Sequence, residues 1–279
     1  MKFPRFSSGL NRGIGSGTPN TINICIGHKP FPIPDRRFID VILSPKPMET
    51  AEGIALHVIA DASYGKHGHT LSEFSQLSWL CDHFEEICGE ADYVRLFQYR
   101  KFVSANRVGR KSTWGHACWI RPAELENHAD EFVRFSLGEV FSRPLGLKGG
   151  FGRMASQYAE NHKLEDLYLF CAFLLREGVF DDRAAIEFSG QKDLVPSATL
   201  GVYKRQTLRD MLGIIKRAGE FIKSPCFVER EGPQRRNAGF LLERLHSHLI
   251  FRHIAQGAGH ACRGRIVVIS DGPNVGVSS

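Results

Sequence analysis

The sequence contains no apolar run approaching the roughly 18 residues that a membrane-spanning helix needs. Its first segment, Met1 to Asn20, carries Lys2, Arg5 and Arg12 but no apolar core of secretory length. These absences predict a cytoplasmic chain whose membrane contact, if any, is peripheral at the inner face of the cell membrane. The 7 cysteines (Cys25, Cys81, Cys88, Cys118, Cys171, Cys226 and Cys262) include no C-x-x-C, the spacing that zinc and redox sites use. An odd count without tight pairing is not a disulfide framework, and thiols inside apolar runs act as small hydrophobes. Also missing are G-x-G-x-x-G, a P-loop, G-x-S-x-G and H-E-x-x-H. His67-Gly68-His69 and His246-Ser247-His248 invite a metal reading. Residues two apart on a helix do not share a face, however, and no Cys or acidic cluster accompanies the first pair, so no zinc site is expected at these histidines.

What is present is a globular composition. The chain has 279 residues, 42% hydrophobic and 24% charged, too apolar for disorder and long enough for a large core. Lys+Arg 36 against Asp+Glu 30 leaves +6, which suits an anionic partner. The basic residues form no stripe interleaved with aromatics, so nucleic acid is not the expected partner.

Along the chain, Met1 to Thr21 is rich in Gly, Ser and Pro and reads as a tail. Strands are expected at Ile22–Ile26, Phe38–Leu43 and Ile54–Ala60. Thr70-Leu71-Ser72-Glu73 has the pattern of a capping box, and apolar residues at three- and four-residue steps then predict one helix to about Cys88. Tyr93–Gln98 and Ala117–Ile120 read as strands, and Pro122 suits the first turn of a helix towards Phe135. Gly138 to Gly152 reads as a loop and Asp181-Asp182 as a helix or turn boundary. Helices are expected at Leu164–Arg176, Thr207–Ile222 and Ala238–Ile254. Leu194–Tyr203 and Arg265–Ser270 read as strands. Alternating strands and helices predict an α/β fold with a mostly parallel central sheet flanked by helices.

Several stretches could carry chemistry. Gly27-His28-Lys29 follows the first strand, and open α/β sheets bind ligands at the carboxyl ends of their strands. Arg100 and Lys101 end the stretch Asp92 to Phe102, where two cations could neutralise a departing diphosphate. Arg95 is an unusual polar residue within that strand. His162, Glu165 and Asp166 stand at a helix start, which favours carboxylates through the helix dipole and could also supply a general base. Arg236 and Glu243, seven apart, can share a helix face.

These segments resemble, in order, a bacterial glycosyltransferase family of capsular and surface-polysaccharide gene clusters, formerly a domain of unknown function. Members open with a strand ending T-H-K, where this sequence has Ile26-Gly27-His28-Lys29. Their E-L-T-x-L-Y-W helix corresponds to Glu73-Phe74-Ser75-Gln76-Leu77-Ser78-Trp79, and their D-Y-[IV]-G-L-x-H-Y-R-R-[YF]-F segment to Asp92 through Phe102. A Y-x(n)-H-x-x-x-D-L segment corresponds to Tyr158–His162 and Glu165-Asp166-Leu167. A closing R-x-x-G-F-L-x-E-R-L helix corresponds to Arg236 through Leu245. Gly27 stands where members have Thr, Arg95 where they have Gly and Gln98 where they have His. Ser197-Ala198-Thr199 stands where they have Asn-Met-Phe.

The resemblance implies a single GT-A-like domain over residues 22–255, a tail over 1–21 and a C-terminal extension with a short strand over 256–279. It implies transfer of a sugar from a nucleotide-sugar donor to a hydroxyl of a glycan or lipid-linked glycan. The implied catalytic residues are Asp166, Glu243 and Arg100. Gly27, His28, Lys29, Glu73, Asp92, Gln98, Tyr99 and Lys101 would bind the donor. His162, Arg236 and Arg244 would serve the acceptor or support the site. Many such enzymes use manganese or magnesium through D-x-D; here Gln98-Tyr99-Arg100 occupies that place, so Arg100 with Lys29 is expected to stabilise the diphosphate, partly or wholly without metal. The alternative is a non-catalytic nucleotide-sugar or carbohydrate binding protein on the same fold.

Overall fold

A computed structural model of the chain describes residues 19–33, 35–59, 67–133, 138–147, 153–256 and 262–273. Most of the expected tail, the far end of the helix towards Phe135 and the last part of the expected 138–152 loop lie outside them. The first strands are β1 (Thr21–Ile26), β2 (Val41–Ser44), β3 (Ala55–Val58), β4 (Tyr93–Gln98), β5 (Lys101–Ser104) and β6 (Arg110–Lys111). The others are β7 (Ala117–Ile120), β8 (Val140–Ser142), β9 (Leu145–Gly146), β10 (Asp193–Leu194), β11 (Gly201–Lys204) and β12 (Cys262–Ile269).

Ten strands form one sheet in the order β3-β2-β1-β4-β11-β8-β12-β7-β6, and β5 bridges β4 and β12. β1 to β4 run parallel, as expected from the alternating pattern. The sheet as a whole is mixed, which corrects the mostly parallel expectation: β11 and β5 are antiparallel to both of their neighbours. The physical reason for β5 is the Tyr99-Arg100 turn, since two residues can connect only antiparallel strands. Pairing of β5 with β12 and of Gln98 with Lys101 closes β4, β11, β8, β12 and β5 into a ring.

Strand alternation sends the side chains of β1, β2 and β4 to two of three cores, the third lying among Val103, Trp119, Val202, Ile266 and Val268. Ile24, Ile26, Leu43, Val94 and Leu96 pack with Phe74, Leu77, Leu212, Ile215 and Leu245 of the helices. Cys25, Ile42, Phe97 and Phe102 pack on the other side with Phe31, Phe38 and Phe132. Arg95 points to this second side, where it is 3% exposed, lies 5.0 Å from the Phe132 ring and donates to the Glu131 carbonyl.

Several boundaries differ from expectation. The helix from Leu71 to Cys88 is three pieces, Gly68–Leu71, Phe74–Asp82 and Phe84–Cys88, broken first at Ser72, whose φ is +57°. The capping box does not form: Glu73 carries no side-chain cap bond and turns its carboxylate elsewhere. Leu194–Tyr203 is not one strand, because Ser197 at φ +51° turns the chain and the Leu200 amide donates to the Ser197 carbonyl at 2.9 Å. The expected loop from Gly138 contains β8 and β9, and the short strand expected near the C-terminus is β12, which lies between β8 and β7 in the sheet. Leu164–Arg176 forms as expected, and Arg205–Gly219 and Asn237–Ala255 replace the two other long helices with small shifts. Asp181 does cap a helix, accepting from the Ala184 amide at 2.7 Å. Among the described residues, no helix is long and apolar enough to cross a membrane.

Candidate functional site

Register brings the ends of the parallel strands level. Ile26 pairs with Gln98 and with Leu43, so the loops after β1, β2 and β4 leave one edge of the sheet together. Gly27 begins the first loop, and a Cβ there would stand 3.2 Å from Cδ1 of Tyr99. Glycine therefore lets the loop lie against the hairpin tip. The His28 ring meets Tyr99 edge-on at 5.3 Å, and the Arg100 guanidinium lies 5.6 Å from that ring. Lys29 and Lys46 are exposed beside them. Burial pushes the His28 pKa down, and Lys29, Lys46, Arg100 and Arg236 push it further in the same direction. Four cations thus act on one histidine, which marks a concentrated positive field at this edge. Lys46 was not singled out from the sequence; only its place after β2 reveals it.

Across the mouth the groups are mixed. The Gln98 side chain donates to Oε1 of Glu73 at 3.4 Å, and the Ser72 hydroxyl donates to Oε2 at 2.5 Å. Arg236 donates to the Ser72 hydroxyl at 2.6 Å and stands 3.6 Å from Glu73. Glu243, half-buried on the Asn237–Ala255 helix, has its pKa raised by burial and then by Glu73, against the opposing pull of Arg244, Lys101 and Arg236. The Lys101 pKa is lowered by burial first and then by Arg100, while Glu243 and Glu73 oppose the shift. Lys101 also lies 5.2 Å from the Trp114 ring, which stacks on His116 at 5.9 Å. Trp114 and His116 had no motif to mark them, and the β6–β7 turn alone carries them to Lys101.

A column of side chains supports Arg236. Its guanidinium lies 5.5 Å from the Phe240 ring, and the other partner of that ring is His162, stacked at 4.2 Å. His162 also bonds through Nδ1 to Gln234 Oε1 at 3.1 Å and packs on Tyr158 at 4.8 Å. Burial and Arg244 lower its pKa. Arg244 turns inward: it donates to the Phe240 carbonyl at 3.0 Å and to Gln157 at 2.8 Å, with its guanidinium 4.8 Å from the Tyr158 ring.

Two expected site residues stand elsewhere. Asp166 is 2% exposed, and its oxygens accept from Arg230 at 2.8 Å and from Asn237 at 3.3 Å. Glu165 pairs with the same Arg230. Asp166 thus joins the Leu164–Arg176 helix to the start of the Asn237–Ala255 helix. Asp92 accepts from the Asn20 amide at 2.8 Å before β4 begins. It lies at the opposite edge of the sheet from Gln98, roughly 20 Å away for six strand residues.

Among the described residues, no group of three or more His, Cys, Asp or Glu side chains is placed to hold a metal ion. His246 approaches the Tyr203 hydroxyl at 3.3 Å and His248 bonds to Gln191 at 2.7 Å, so the two point to different partners.

No family model matches the sequence, and no curated protein matches it. Among solved structures, the chain is similar to the apo structure of WbbM, a bifunctional glycosyltransferase, with a TM-score of 0.66 and 17% sequence identity. The match covers 90% of this chain and 46% of that one, so this chain spans about half the length of its neighbour. At that identity the likeness establishes the fold: this mixed α/β domain is built like part of a glycosyltransferase.

Proposed function

We propose that the chain is a glycosyltransferase that moves a sugar from a nucleotide-sugar donor to a hydroxyl of a growing surface or capsular polysaccharide, or of another glycan acceptor, lipid-linked acceptors included. The observation that carries this reading is the convergence, at the carboxyl edge of β1, β2 and β4, of a cationic side (Lys29, Lys46, Arg100) and a side holding Glu73, Glu243 and Arg236. It stands on a fold similar to a glycosyltransferase.

In this reading Lys29 and Arg100 meet the diphosphate, whose negative charge grows as the bond to the sugar breaks. The acceptor oxygen bonds to the anomeric carbon, the nucleoside diphosphate leaves, and the acceptor proton passes to Glu243. Burial raises the basicity of that carboxylate. Asp166 is the weaker candidate for this step because Arg230 and Asn237 already hold its oxygens. Glu73 binds a donor hydroxyl and Arg236 helps to fix it. Glu73 is itself held by Ser72, Gln98 and Arg236, and in this reading Lys29 and Arg100 supply the charge that meets the diphosphate.

Thermal-shift measurements with UDP-, GDP-, dTDP- and CMP-sugars, with and without manganese, test the reading. A shift with one nucleotide class, followed by sugar transfer or release, is expected. A shift with no chemistry points to the alternative, a binding protein on the same fold. No shift with any of the four rejects both.

A further inference from the structure

Ser72 is one of two non-glycine residues with positive φ among the described residues, at φ 57° and ψ −137°. An L side chain is crowded there, and glycine is the usual occupant. Such a residue persists only where its surroundings over-determine it.

The surroundings of Ser72 do so from three directions. Its amide donates to the Gly68 carbonyl at 2.9 Å, and its carbonyl accepts from the Ser75 hydroxyl at 2.8 Å. From below, the Asn237–Ala255 helix presses its backbone close: a Cβ on Gly239 would lie 3.1 Å from the Leu71 carbonyl oxygen and 3.2 Å from the Ser72 Cβ. The Ser72 hydroxyl then does what glycine could not. It donates to Glu73 and accepts from Arg236, whose side chain is 49% exposed and whose other contacts are Glu73 and the face of Phe240.

We propose that Ser72 is a positioning residue of the sugar-binding side of the site, its strained turn and hydroxyl together aiming the Glu73 carboxylate and the Arg236 guanidinium at the hydroxyls of the bound donor. The proposal rests on the glycosyltransferase reading. It adds that the site keeps a strained serine where a relaxed glycine would fold more comfortably, because the hydroxyl is needed for recognition.

Ser72→Gly relieves the turn and deletes the hydroxyl, whereas Ser72→Ala deletes the hydroxyl and keeps the strain. A structural role moves stability and function together; a positioning role separates them. The expected result for Ser72→Gly is a Tm equal to or above that of the wild type. Its Kd for the nucleotide sugar that shifts the wild type should rise about tenfold or more by calorimetry, the scale of a lost hydrogen bond to a charged group. Ser72→Ala should show the same loss of affinity with a Tm below that of Ser72→Gly. The inference is overturned if Ser72→Gly binds the sugar as the wild type does, or if it melts lower. Wild-type protein that binds none of the four nucleotide sugars overturns the underlying reading, and this inference with it; that result is seen on the wild type alone and so is distinct from failure of the variant.

Discussion

Arg100 and Glu243 carry opposite demands at the mouth of the site. In the proposed mechanism Arg100 meets the diphosphate, to which a guanidinium offers a planar fork. Arg100→Ala is therefore expected to weaken donor affinity by about tenfold or more, and Arg100→Lys to restore only part of it; single-turnover transfer with and without manganese reads both. Unchanged transfer in Arg100→Ala removes it from the mechanism. In the same proposal Glu243 takes up the acceptor proton. Its folded pKa lies above the ordinary value of 4.5, so the folded state binds the proton more tightly than the unfolded chain does. The group therefore costs stability as pH rises from about 4.5 through its folded pKa. Glu243→Gln should be at least as stable as the wild type at pH 7 while losing transfer by about 10²-fold or more, the range for a general base. A marked fall in Tm with full activity would contradict both halves.

The Asn237–Ala255 helix links the mouth to the core. Arg236 stands just before its first residue, its first turns carry Phe240 and Glu243, and its middle buries His246 and His248. Burial pushes His246 down to about 3 and His248 down to about 4. Both are neutral when folded, while the unfolded chain takes up protons below about 6.5. Their contribution is thus present above pH 6.5 and lost as pH falls towards 4, at up to about 1.4 kcal/mol per pH unit for each histidine. Urea denaturation at pH 7, 6 and 5 should show this decline, and His248→Gln, which can keep a bond to Gln191, should flatten it. At the start of the helix, Asp166 and Asn237 are tied together with Arg230. Arg230→Ala leaves a buried carboxylate without its cation and is expected to cost on the order of 3 kcal/mol, read as a lower Tm. If chemistry were lost with stability intact, Asp166 would return as a catalytic candidate.

At the scale of the whole molecule, β12 decides what counts as the domain. Val267 and Val268 pair with β7 on one side and with β5 on the other, and the start of the strand pairs with β8. A chain ending at Ala255 would open the ring and bare three strands, so it is expected to lack a cooperative thermal transition. A truncated chain that is folded by circular dichroism would contradict this. The sequence resembles a short strand followed by glycine at this point, and nothing local distinguishes an interior strand from an appended one. The long helices were legible because a 3.6-residue apolar period records burial directly. The β5 strand, the Ser72 break and the β8 strand were not: β5 and β8 pair with β12, and Ser72 meets Arg236 and Gly239, so each is held in part by partners distant in the chain.

The α/β class, the long helices and the carboxyl-edge placement of Gly27, Lys29 and Arg100 are already written in the residue pattern, since periodicity and strand ends are local properties. Which charges meet is set by the packing of the folded chain. It brought Lys46, Trp114 and Ser72 to the mouth, drew Glu73 away from a helix cap into a network with Gln98 and Arg236, and left Asp166 and Asp92 in structural bonds. Those assignments depend on register and helix packing, where a contact joins residues more than a hundred positions apart, as with Ser72 and Arg236.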